Sequence, residues 1–122
     1  FENNKPKKVM EFKKGIPKGR FIESYKNGQI KGDCNILNGK IHGENKEYHQ
    51  NGNLQLVGDF KEGKKEGLWK GYHENSQLKI EETYKDDVRH GDYKKYNETG
   101  KLIQHVIFVN GHEDTIIKDL IN

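Results

Sequence analysis

The sequence is poor in the residues that build a thick core or carry chemistry. It holds one cysteine, two prolines, one methionine and one tryptophan in 122 residues, and hydrophobic residues make up only 30% of it. The single Cys34 excludes an internal disulfide framework and reads as a small core filler, the usual fate of a free cysteine. No apolar run approaches the ~18 residues that a membrane-spanning helix needs. Neither sign of charge dominates, with 22 Lys and Arg against 19 Asp and Glu, a formal net charge of +3. The basic residues are spread along the chain, so the concentrated basic face that nucleic acid asks for is missing, and no nucleic-acid partner is expected. No secretory signal pattern is present, and the first residue is Phe1 rather than Met, as in a processed or trimmed chain. Localisation stays open, with a cytoplasmic site slightly favoured and a removed leader compatible with this start.

A mean hydropathy of −1.13 would suit disorder if the polar residues fell at random. They do not. Gly19, Gly43, Gly67 and Gly91 recur every 24 residues, and Tyr48, Tyr72 and Tyr96 keep step with them. So do Ile30, Leu54, Leu78 and Leu102, and then Ile36, Phe60, Tyr84 and Phe108. A period of this length marks a repeat array in which each thin unit is stabilised by stacking on its neighbours. Within a repeat, Leu54, Leu56, Gly58 and Phe60 alternate with polar or outward residues, the period of a half-buried strand. Asn27-Gly28 and Asn51-Gly52 are tight-hairpin signals. Each repeat is therefore a β-hairpin, and the expected fold is all-β: an antiparallel hairpin meander of about nine strands.

The organisation that follows is an N-terminal arm over 1–7, a repeat array over 8–111 and a C-terminal cap over 112–122. The array opens with a half repeat over 8–18 and continues with repeats starting at 19, 43, 67 and 91. In the cap, Ile116, Ile117, Leu120 and Ile121 fall on one side of a helix behind Asp114 or Thr115, which predicts a short helix folded back as a lid. A final edge strand is the alternative, because Thr115 stands where the next repeat would have its glycine.

Chemistry has few footholds. His49 and His73 share one repeat position and His42 and His90 another. Equivalent residues two strands apart are separated by about 9–10 Å, too far to share a zinc with bonds of about 2 Å. No metal, cofactor or catalytic set is expected. Glu81 and Glu82 are neighbours on opposite faces of one strand; Glu82 falls among the inward positions, where it either reaches solvent past the sheet edge or pairs with a nearby Lys, an unpaired carboxylate inside being costly. The more suggestive pattern is Lys46, Lys70 and Lys94, which recur beside the tyrosines and line one side of the ribbon. They form a surface for an anionic partner, with a solvated face that deters edge association as the plain alternative. The partner-binding set expected is Lys46, Lys70 and Lys94 with Trp69, Tyr72 and His73 as aromatic anchors and Arg89 at the rim. Repeat 67–90 departs from its copies at Ser76, Glu82, Asp87 and Arg89, which marks them for attention.

With the unit written out as Gly67, Trp69, Tyr72, Leu78 and Tyr84, and again as Gly43, Tyr48, Gly52, Leu54, Phe60 and Gly63, the chain resembles the MORN repeat family. The bacterial variant is the closer likeness over roughly residues 10–111, with Gly91, Tyr93, Tyr96, Gly100, Leu102, Phe108 and Gly111 carrying the last repeat. The resemblance implies a MORN-like β-hairpin ribbon, used near membranes or as a protein-binding platform, and in bacteria often labelled antitoxin-like. It implies a non-enzymatic scaffold for a protein partner, such as an immunity-type partner of a toxin. A peripheral module on anionic phospholipid head groups is the alternative. Oligomeric state is not fixed by either reading.

Overall fold

The computed structural model describes residues 7–13 and 16–119, with side-chain surroundings over 19–117. Eleven strands run along it: β1 (Lys7–Lys13), β2 (Ile16–Ser24), β3 (Ile30–Leu37), β4 (Lys40–Ile41), β5 (Gly43–Tyr48), β6 (Leu54–Lys61), β7 (Lys64–Tyr72), β8 (Leu78–Lys85), β9 (Val88–Tyr96), β10 (Leu102–Val109) and β11 (His112–Asp119). Apart from β4, which pairs only with β3, they lie side by side in chain order in one sheet. Every pairing is antiparallel, as short hairpin connections require. The all-β meander is thus as expected, with ten strands in sequence where about nine were anticipated.

The expectation at the C-terminal end falls differently. Residues 112–119 continue the sheet as β11 paired with β10, so no helical lid forms there and the edge-strand alternative is the one adopted. Backbone pairing with β10 satisfies these groups without any helix, and Thr115 and the two isoleucines suit a strand as β-branched residues. The lid's Leu120 and Ile121 lie outside the described residues, as do residues 1–6 of the expected arm, while Lys7 already belongs to β1.

One cross-strand row holds what core there is. Cys34, Asn45, Gly58, Trp69, Glu82, Tyr93 and Val106 follow one another across the sheet on what we call the packed face. Trp69, 1% exposed, is its largest member. A single sheet can bury an indole only if a neighbour is absent, and Gly58 is that absence. A Cβ on Gly58 would lie 2.0 Å from the Trp69 ring. Phe60 and Tyr84 meet the indole edge-on at centroid distances of 5.0 and 6.3 Å. The indole N–H donates to the Asp59 carbonyl at 3.1 Å, so the polar end is satisfied as well.

The two rims are ladders. At the first-turn rim, Tyr25, His49 and His73 occupy one repeat position, and each bonds a backbone carbonyl of the next repeat. The acceptors are Tyr48, Tyr72 and Tyr96, at 2.7, 2.8 and 3.0 Å. A carbonyl only accepts, so both histidines carry their proton on Nε2. Two residues on, the Asn27, Asn51 and Asn75 amides donate to Gln50, Glu74 and Glu98 carbonyls. At the second-turn rim, His42 Nδ1, Glu66 Oε2 and His90 Nδ1 accept from the N–H of Glu62, Asp86 and Asn110. These bonds stitch each unit to the next, which is how thin repeats become stable.

Candidate functional site

The opposite, open face carries a second row read directly from the strand register: Ile22, Asp33, Lys46, Val57, Lys70, Glu81, Lys94 and His105. Alternation along β5, β7 and β9 puts Tyr48, Tyr72 and Tyr96 on this same face. The predicted lysine and tyrosine ladders are therefore side by side, the lysines two strands and so ~9–10 Å apart. They are not a uniform cationic strip. Glu81 stands between Lys70 and Lys94 and accepts from the Tyr96 hydroxyl at 2.8 Å, and Lys46 meets Glu44 at 3.3 Å. Burial, followed by that bond to Glu81, pushes the Tyr96 phenol up, so it stays a donor at neutral pH. Asp33 is held by Arg20 through two bonds of 3.0 and 2.7 Å, and His105 meets Asp92 at 2.8 Å. Between the charges lies a depression of about 280 Å³ lined by Glu44, Val57, Leu68, Lys70 and Tyr72 among others. Leu68 there is 51% exposed, a large apolar side chain left in solvent among charged neighbours.

The expected binding residues do not form one cluster. Lys46, Lys70, Lys94 and Tyr72 share the open face. His73 lies at the first-turn rim, where it lines a polar hollow with His49, Tyr72, Glu74, Asn75, Lys79 and Glu98. Trp69 and Arg89 are on the packed face. Trp69 was expected as an exposed anchor, and its burial under Phe60, Tyr84 and Lys65 removes it from that role; it holds the repeat together instead.

Arg89 belongs to a device that the sequence half revealed. Glu82, 8% exposed, is the inward carboxylate that needed a partner. Arg89 supplies it from the next strand, with Nε and Nη2 at 2.8 and 2.7 Å, and the Tyr84 hydroxyl adds a third bond at 3.1 Å. The guanidinium lies over the Tyr93 and Phe108 rings at 5.3 and 5.6 Å. Burial opposes its charge, but the Glu82 carboxylate more than offsets this and holds the guanidinium above its ordinary value. Burial, then Glu82, pushes the Tyr84 phenol up, which keeps its donor proton in place. Lys65, 24 residues earlier, sits in the same way over Trp69 and Tyr84, at 5.0 Å from each ring. The sequence signal for Lys65 is its spacing of one repeat from Arg89. The signal for Leu68 is an apolar residue at an outward position. Cys34 is buried, and that burial raises its thiol, with Asp33 adding to the effect, so it is a filler and not a nucleophile. Among the described residues no cluster of three or more metal-ligating side chains occurs.

The MORN repeat variant family matches residues 41–62, 65–86 and 89–110, three consecutive segments that begin 24 residues apart and together span more than half of the chain. The chain belongs to the MORN repeat variant family. MORN repeats are non-catalytic modules that serve as binding and scaffold elements, often in association with membrane lipids. No curated protein matches the chain at a significant level.

Proposed function

We propose that this MORN repeat protein is a non-enzymatic scaffold that docks a protein partner across its open face. Lys46, Lys70, Lys94, Tyr72 and Leu68 are the contact surface. The observation that carries this reading is the mixed character of the row Asp33, Lys46, Val57, Lys70, Glu81, Lys94. An anionic bilayer rewards each lysine by about 1 kcal/mol and penalises interposed carboxylates, whereas a protein surface can match alternating signs around an apolar centre. In its specific form the partner is a toxin and the ribbon an immunity-type occluding surface, a role that rests on the likeness to antitoxin-labelled bacterial MORN proteins.

Affinity capture from the native host, run beside sedimentation with acidic liposomes at low and physiological salt, tests it. The expected result is a stoichiometric protein partner lost on Lys70→Glu, with no liposome association. Tight liposome binding without a protein partner would transfer the function to a peripheral membrane module.

A further inference from the structure

The sheet alternates two kinds of strand. One kind carries the left-handed glycine, as in β5, β7 and β9 with Gly43, Gly67 and Gly91. The other carries Phe60, Tyr84 or Phe108, as in β6, β8 and β10. Among the described residues, β1 pairs on one side only, with β2, and β11 on one side only, with β10. These two edges are of opposite kind. β1 holds Phe12 at the place of Phe60, Tyr84 and Phe108, and β11 holds Thr115 at the place of Gly67 and Gly91. Within the sheet, a strand of the β11 kind always has a strand of the β1 kind on its far side, as β7 has β8.

Charge agrees with this. β1 has three lysines against Glu11, while β11 has Glu113, Asp114 and Asp119 against Lys118. Ile116 and Ile117, 56% and 55% exposed, are the most exposed of the large apolar side chains described, and both lie in β11.

We propose that β11 of one copy pairs antiparallel with β1 of a second copy, continuing the ribbon from molecule to molecule. Carrying the β7–β8 register forward sets Thr115 opposite Phe12, Ile117 opposite Met10 and Asp119 opposite Lys8 of the second copy. Added strands give main-chain bonds as the affinity and side-chain pairing as the selectivity. The lysines of β1 and the two bulges of β11 deter unselective edge pairing and leave the oppositely charged edge as the fitting partner. Because the two surfaces differ, the contact is head-to-tail and propagates into filaments or closes as a ring.

Sedimentation of the full chain across the micromolar range tests this, with circular dichroism as the check that each variant keeps its sheet. The wild type should show masses at multiples of the 14.2 kDa chain, decreasing as salt rises. Ile116→Lys/Ile117→Lys should block β11, and Lys8→Glu/Lys13→Glu should block β1. Each variant alone should be monomeric, and an equal mixture should form a species of twice the monomer mass and no larger one. A wild type that stays monomeric overturns the proposal, as does a β1-blocked variant that still self-associates, which would mean β11 pairs with itself. Should either variant lose its sheet, the salt series on the wild type decides, because assembly insensitive to salt contradicts the charge match.

Discussion

At Gly58 the neighbouring indole leaves no room for even a methyl group, and the residue's role is that of an empty place. Its equivalents in the other repeats are Cys34, Glu82 and Val106, so this repeat position takes a side chain everywhere except beside the Trp69 indole. Gly58→Ala should cost about 3 kcal/mol or more, since the ring cannot move without leaving Phe60 and Tyr84; Val106→Ala, a cavity instead of a clash, should cost about 1–3 kcal/mol. Chemical denaturation of both variants checks the order. A second residue-scale expectation concerns acid. Arg20, through its hydrogen bonds, holds the Asp33 carboxyl below the ordinary range. A carboxylate depressed by folding stabilises the native state above its unfolded value, near 4, and that contribution disappears as pH falls through the folded value. Arg20→Gln should therefore lower the melting temperature at pH 6 and flatten its decline on acidification. The same decline in both proteins would show that the pair contributes nothing.

At the scale of single turns and strands, the copies explain the departures. Asp87 stands where Gly39, Gly63 and Gly111 stand, with φ of 70°, and its carboxylate accepts from the Lys65 N–H at 2.8 Å. That bond offsets the strain of a left-handed aspartate, so Asp87→Gly should be close to neutral. Ser76, φ 71°, has no such bond, and Ser76→Gly should stabilise by roughly 0.5–1 kcal/mol. A thermal shift of opposite order would contradict the assignment. Gly67→Val should destabilise more than Lys70→Ala. The reason is its φ of 76° alone, because the space around a Cβ there is open.

Most of this scale was legible in the sequence. The glycine period gave the turns and the alternation gave the strands. The final hairpin was not, because its apolar residues fit a helix as well as a strand. In β8–β9 the two extra residues fall together around Gly91, φ 104°. In β10–β11 Thr115 does not take a left-handed φ, and the irregularity divides between two places. Among the described residues the last rung of the rim ladder is that of His73: Asn97 replaces the bridging histidine, and its carboxamide oxygen accepts from Thr99 and Lys101 in its own turn. His73→Phe, which removes one rung while keeping the ring, should cost about 1 kcal/mol, read as a lower denaturation midpoint with an unchanged slope.

For the whole molecule, a single sheet with one packed face leaves the other free for recognition. The lysine and tyrosine rows on that face were legible because they are periodic. The misplacement of Trp69 arose because an aromatic at a repeat position is equally a packing residue, and only its seat on Gly58 decides which. The Glu82–Arg89 pair was half visible: parity placed the carboxylate inside, but the partner lies one strand away, across a bulge whose extent the spacing does not specify. The proposed partner covers the open face. A photo-crosslinking residue at Leu68 or at Lys95, which lies opposite Ile80 on the packed face, tests it most directly in the captured complex. Cross-links to the partner from position 68 and none from position 95 are the predicted result; cross-links from position 95 alone would contradict it.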